Sequence, residues 1–163
     1  MSRRPLASVW QLPDVRAVYA LYGASADELR VVFVGFAESL SERVVEQLVV
    51  PNLRPRPQSA ILFMQPGYVR EIRWWEHPRF EDLEALRAAE FVASDLLLPL
   101  LSSRRPSSAG ARTLSTDEGF REQISALVLG EPSGRLFLPT LEDILARLGR
   151  IEERLSSGED GKA

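Results

Sequence analysis

The sequence predicts an α+β fold: a small antiparallel β-sheet flanked by helices, with a C-terminal helical extension. Three observations carry this. Residues 15–22 and 29–34 are short runs dense in β-branched and aromatic residues, separated by a Gly-containing turn. Helical periodicity follows each strand region, first from Ser39 and again from about Phe80. The chain has 163 residues, 45% of them apolar, which suits one domain with its own core and a tail.

Taken in order, residues 15–22 form a first strand and Gly23-Ala24-Ser25-Ala26-Asp27 a turn. Residues 29–34 then pair back as the second strand of an antiparallel hairpin. Ser39-Leu40-Ser41-Glu42 fits the Ser-x-x-Glu capping box, with Ser39 as N-cap and Glu42 at the third helical position. Leu40, Val44, Val45 and Leu48 give that helix an apolar face, and Pro51 stops it. Residues 52–58 hold two prolines, two arginines and no periodicity, and read as a loop. Residues 60–64 are a short apolar strand, 65–68 a turn and 69–75 a further strand, giving a second hairpin. His77-Pro78 breaks it. A long helix follows over 80–98, ended by Pro99.

Residues 102–119 change regime to Ser, Arg, Pro, Gly and Ala without apolar spacing, and read as a linker or mobile loop. Residues 120–129 form a short amphipathic helix. Residues 130–139 are turn-rich and contain the apolar run Leu136-Phe137-Leu138. Over 141–155, Leu141, Ile144, Leu148, Ile151 and Leu155 repeat at a/d spacing for about two heptads. That stripe either folds back onto the domain or mediates self-association or binding of a protein partner. The expected organisation is a domain over 13–101, a linker over 102–119, a helical extension over 120–155 and a disordered tail over 156–163.

Composition removes several function classes. The chain has no cysteine, which excludes disulfides and thiolate metal sites, and one histidine, His77, which excludes multi-His sites within one chain. A hard, oxygen-bound ion such as Mg²⁺ or Mn²⁺ remains open. No apolar run approaches the roughly 20 residues of a membrane helix, and no apolar stretch of signal type follows Met1-Ser2-Arg3-Arg4-Pro5. The expected setting is cytoplasmic, away from membranes. Net charge is −3, which argues against a uniformly basic nucleic-acid surface and leaves local patches. Positive charge is almost all arginine, with one lysine, Lys162; clusters fall at Arg3-Arg4, Arg54/Arg56, Arg70/Arg73 and Arg104-Arg105. Arginine suits bidentate phosphate contacts; tandem Trp74-Trp75 puts one indole on each strand face, so at most one is exposed for base stacking and the alternative is core and hairpin packing.

One buried carboxylate is legible from spacing alone. Leu83, Leu86, Ala93, Leu97 and Leu100 mark one stripe of the 80–98 helix, and the missing member of that series is Glu90. A carboxylate inside an apolar arc is rare unless it is paired or metal-bound.

Two segments carry a family resemblance. Ala17-Val18-Tyr19 followed by Phe33-Val34-Gly35, with Arg43 on the helix that begins at Ser39, resembles the signature of the GIY-YIG nuclease family. The order of these elements and the Gly35-to-Arg43 spacing are what make the resemblance specific. It covers about residues 13–100. It implies hydrolysis of nucleic-acid phosphodiester bonds with Mg²⁺ or Mn²⁺. In the family a strand tyrosine acts as general base or assists it, the helix arginine holds the phosphate, and a glutamate on a later helix binds the metal. Carried over, these are Tyr19, Arg43 and Glu90, and the last is also the residue picked out by spacing. Tyr22, Arg54, Arg56 and Trp75 are the candidate substrate-binding groups. The chain departs from the pattern at four points. Phe33 replaces the second motif's tyrosine, Phe36 stands where many members carry lysine, Ala17 replaces the first glycine, and no histidine follows Arg43. Two expectations follow: a metal-dependent nuclease with an impaired site, or a non-catalytic binding or assembly subunit of the same fold that uses its C-terminal helix.

Overall fold

The computed structural model describes residues 9–25, 28–48, 69–100, 108–139 and 141–159. The chain is α+β; among the described residues there is a four-stranded antiparallel sheet in the order β2-β1-β3-β4. Strand β1 (Ala17–Ser25) pairs with β2 (Glu28–Ala37), Tyr19 opposite Gly35, so the expected hairpin forms. Both strands outrun their expected ends. Gly23 pairs with Arg30 and Ser25 with Glu28, so the segment read as a turn is largely strand. The other side of β1 pairs with β3 (Val69–Trp75), Tyr19 opposite Trp74. The loop, strand and turn expected over 52–68 lie outside the described residues.

The fourth strand, β4 (Gly134–Phe137), comes from the stretch read as turn-rich and pairs with β3. Gly134 lies opposite Trp74, and its missing side chain leaves room for the indole: a Cβ there would collide with the ring.

Each face of the sheet buries a separate core, because side chains alternate along a strand. Helix α1 (Leu40–Leu48) lies on one face, where Leu40, Val44 and Leu48 pack with Tyr19, Leu21, Ile72 and Trp74. Three helices cover the other: α2 (Leu83–Leu97), α3 (Ala109–Thr116) and α4 (Glu118–Leu129). They pack against Val18, Ala20, Tyr22, Val34 and Trp75. The two tryptophans therefore enter opposite cores.

Caps fix where the helices begin. The Ser39 carbonyl accepts from the Arg43 amide at 3.0 Å and its Oγ from the Glu42 amide at a long 3.5 Å. His77 caps a 3-10 turn, Pro78–Glu81, so α2 starts at Leu83 rather than near Phe80. Asp82 accepts from the Glu84 amide there, and α2 ends on Leu98 in the left-handed region, just before Pro99.

The expected linker over 102–119 needs correcting. Ala109–Thr116 is helix α3, and α4 already begins at Glu118. Nor do 120–155 form a separate extension: Phe120, Ile124 and Val128 of α4 share a core with α2, and β4 joins the sheet. Only α5 (Leu141–Glu159) fits the description of an extension, and it continues four residues into the segment expected to be a disordered tail. Its Ile144, Leu148, Ile151 and Leu155 are exposed. Among the described residues no helix is long and apolar enough to cross a membrane.

Candidate catalytic site

Alternation along β1 turns Ala17, Tyr19 and Leu21 toward α1. Tyr19 is fully buried, with its ring beside Phe33 at a centroid separation of 6.0 Å and tilted by 45°. Both rings cross the backbone of Gly35. A Cβ on Gly35 would lie 2.6 Å from the Phe33 ring and 2.8 Å from the Tyr19 hydroxyl. The glycine of the second motif is thus required by two aromatic rings sharing the space above it.

Helix α1 supplies two groups from successive turns of one face, Arg43 and Gln47. The Tyr19 hydroxyl donates to Gln47 Oε1 at 2.5 Å. Arg43 is partly exposed, and its nearest carboxylate is Glu46 at 4.0 Å on the same helix. That pair is loose, and the guanidinium also hydrogen-bonds to the Tyr19 hydroxyl. Glu90 comes from α2, whose buried face is Ala85, Leu86, Ala88, Ala89, Val92 and Ala93. It stands at the border of that face and is partly buried. Leu100, placed in the same stripe by its spacing, is exposed beyond the end of α2.

The charges of Arg43 and Glu90 both act on the Tyr19 hydroxyl, although α1 and α2 pack on opposite faces of the sheet. Burial raises the Tyr19 hydroxyl far above its ordinary value; the Arg43 charge opposes this and the Glu90 charge adds to it. Burial also pushes the Glu90 carboxyl up to about 7, against the pull of Arg43. Tyr19 therefore stays protonated at neutral pH and its proton is committed to an amide. In this arrangement it is a hydrogen-bond donor to Gln47. Glu90, by contrast, titrates near neutrality and can accept a proton there.

Glu90 is also the only candidate metal ligand in the cluster. Among the described residues no group of three or more His, Asp or Glu side chains is placed to hold a metal ion. Mg²⁺ and Mn²⁺ nevertheless bind through one or two carboxylates, filling the rest of their shell with water and substrate phosphate. The cluster thus offers such an ion one carboxylate, Glu90.

Other candidates fare differently. Trp75 is 2% exposed in the core under α2, so it offers no face for stacking on a base. Tyr22 is also buried, three residues from Tyr19 and so on the opposite face of the sheet. The Arg73 guanidinium lies 4.2 Å above its ring. Arg73 is itself held by Glu71 through two hydrogen bonds, 2.6 and 3.2 Å, which satisfy a carboxylate only 1% exposed. Neither Tyr22 nor Trp75 is therefore placed to bind substrate. Arg54 and Arg56 lie outside the described residues. Phe36 points away from Tyr19 and packs in the core under α2. Gln47 is the site residue that motif reading misses. Its spacing, four residues beyond Arg43, puts both on one helix face but does not distinguish it from a solvent-facing residue.

No protein-family model, curated protein or solved structure matches this chain.

Proposed function

We propose that the Tyr19–Arg43–Glu90 cluster binds a nucleic-acid phosphodiester and hydrolyses it slowly with a divalent metal, as a divergent relative of the GIY-YIG nucleases acting in the cytoplasm. The observation that carries this reading is the setting of Tyr19: it is buried under α1 against Gly35 and hydrogen-bonded to Gln47, one turn beyond Arg43, and the charges of Arg43 and Glu90 both act on it. Arg43, partly exposed and loosely paired, holds the phosphate and offsets the charge that builds on it in the pentavalent state. Glu90 would hold Mg²⁺ or Mn²⁺, which when bound stabilises the leaving oxygen. Tyr19 anchors Gln47 and fixes the floor of the site. With the Tyr19 proton held by Gln47 and Glu90 given to the metal, the attacking water would lose its proton to solvent, and the chemistry is expected to be slow.

Cleavage of plasmid and single-stranded DNA in Mn²⁺ tests this, with the full chain compared with Glu90→Ala and Arg43→Ala. The expected result is cleavage by the full chain and a loss of about a hundredfold or more in each variant. Equal background in all three removes the catalytic claim. A second reading is then favoured, a non-catalytic subunit that keeps the fold for binding or assembly. Its support is the engagement of the Tyr19 hydroxyl by Gln47 and the aromatic filling by Phe33.

A further inference from the structure

Helix α5 presents an apolar stripe to solvent: Leu148 is 52% exposed and Leu155 68%, with Ile144 and Ile151 exposed beside them. A continuous apolar stripe left uncovered marks an association surface. The heptad positions along the helix say what covers it. The spacing puts Leu148 and Leu155 at a, and Ile144 and Ile151 at d. Arg147 and Arg154 then fall at g, and Leu145 and Glu152 at e.

In a parallel bundle, a g residue faces the e residue one heptad further along the neighbouring helix, so Arg147 meets Glu152 of the next copy. In an antiparallel pairing g faces g, and Arg147 would meet Arg154. The charges thus complement a parallel copy of the same helix and repel the reverse orientation. The core residues fix the number of strands. Leucine at a with isoleucine at d favours more than two parallel strands. Leu145 at e, 57% exposed, widens the apolar face as a larger bundle requires.

We propose that copies of this chain associate through α5 as a parallel four-stranded bundle, independently of the chemistry of the Tyr19 cluster. Because the helix is short, the assembly is expected to depend on concentration. Light scattering of the full chain over a dilution series tests it, the expected mass at high concentration being four times the 18.3 kDa chain. Leu148→Asp removes the oligomer while leaving the tryptophan fluorescence of the domain unchanged, since all three tryptophans lie outside α5. Arg147→Glu weakens the oligomer, and adding Glu152→Arg to that variant restores it. Orientation is read separately. The chain has no cysteine, so Leu155→Cys introduces a single thiol. Parallel helices place it beside its own copy, and oxidation gives covalent dimers on a denaturing gel. A monomer or dimer at every concentration overturns the proposal, as does an oligomer unaffected by Leu148→Asp or an absence of Leu155→Cys cross-linking.

Discussion

Glu90 is held close to its own titration point, and that makes the stability of the whole chain depend on pH through one residue. Its carboxyl titrates at about 7 in the folded chain against an ordinary 4.5. Between those values the unfolded chain gives up this proton while the folded chain keeps it. The folded state then binds more protons, so stability falls as pH rises through the window. Below 4.5 both states are protonated and the penalty is absent; above about 7 it is fully present. Partial burial of the group limits its size to on the order of 2 kcal/mol. Glu90→Gln removes the ionisation. Urea unfolding at about pH 5 and about pH 8 should therefore show the variant gaining on the parent chain as pH rises. An unchanged difference between the two at both pH values would mean that Glu90 is solvated like any surface carboxylate. The same residue shows what a sequence can carry. Glu90 interrupts an apolar stripe, so spacing alone exposes it. Gln47 is a polar residue on an amphipathic helix and reads as solvent-facing; only the packing of α1 under β1 brings it to the Tyr19 hydroxyl. Tyr22 was misplaced although the pleat decides it, since residues three apart on a strand face opposite ways.

Helix α3 shows where element-scale reading fails and why. Its buried residues are Ala111 and Ser115, which are too small to give an apolar period. It starts at Ser108, whose Oγ accepts from the Ala111 amide at 3.2 Å. A second acceptor comes from α2: Glu84 Oε2 takes the same Ala111 amide at 2.9 Å and also the Ser108 hydroxyl. Capping by a residue 27 positions away leaves no local signature. A test follows from this geometry. Ser108→Ala loses the local cap and should lower stability by about 1 kcal/mol. Ser108→Asp is usually a harmless exchange at an N-cap, but here it sets a second carboxylate against Glu84. It should be worse than alanine, and thermal unfolding of the two variants ranks them. If aspartate is the better cap, Glu84 does not engage this helix. Strand β4 was hidden for a related reason. It is only four residues long, and its Arg135 and Leu136 are recognisable as strand only through pairing with Arg73 and Ile72. By contrast, the β1–β2 hairpin and α1 were legible because their β-branched runs and cap are local, even though the strands run through most of the segment read as a turn.

At the scale of the molecule, one sheet separates two cores, and the parts read as an appendage are built into one of them. Phe120 of α4 is 1% exposed and lies in the same cluster as Trp75 and the buried face of α2. Trp74 sits across the sheet in the core under α1. Because one strand, β3, carries both of these tryptophans into the two cores, the cores should not unfold separately. Tryptophan fluorescence and far-ultraviolet circular dichroism should then trace a single coincident transition in urea. Phe120→Ala removes a large buried ring and should cost about 4 kcal/mol. The loss should move both signals to lower urea together, with little change in slope. An α4 that were an independent extension would behave otherwise. Its truncation would lower the helical signal early and leave the tryptophan transition in place. Coincident shifts would tie the residues beyond 108 to the same cooperative unit as the candidate site, so that α2, which carries Glu90, is held in place by α3 and α4 from behind.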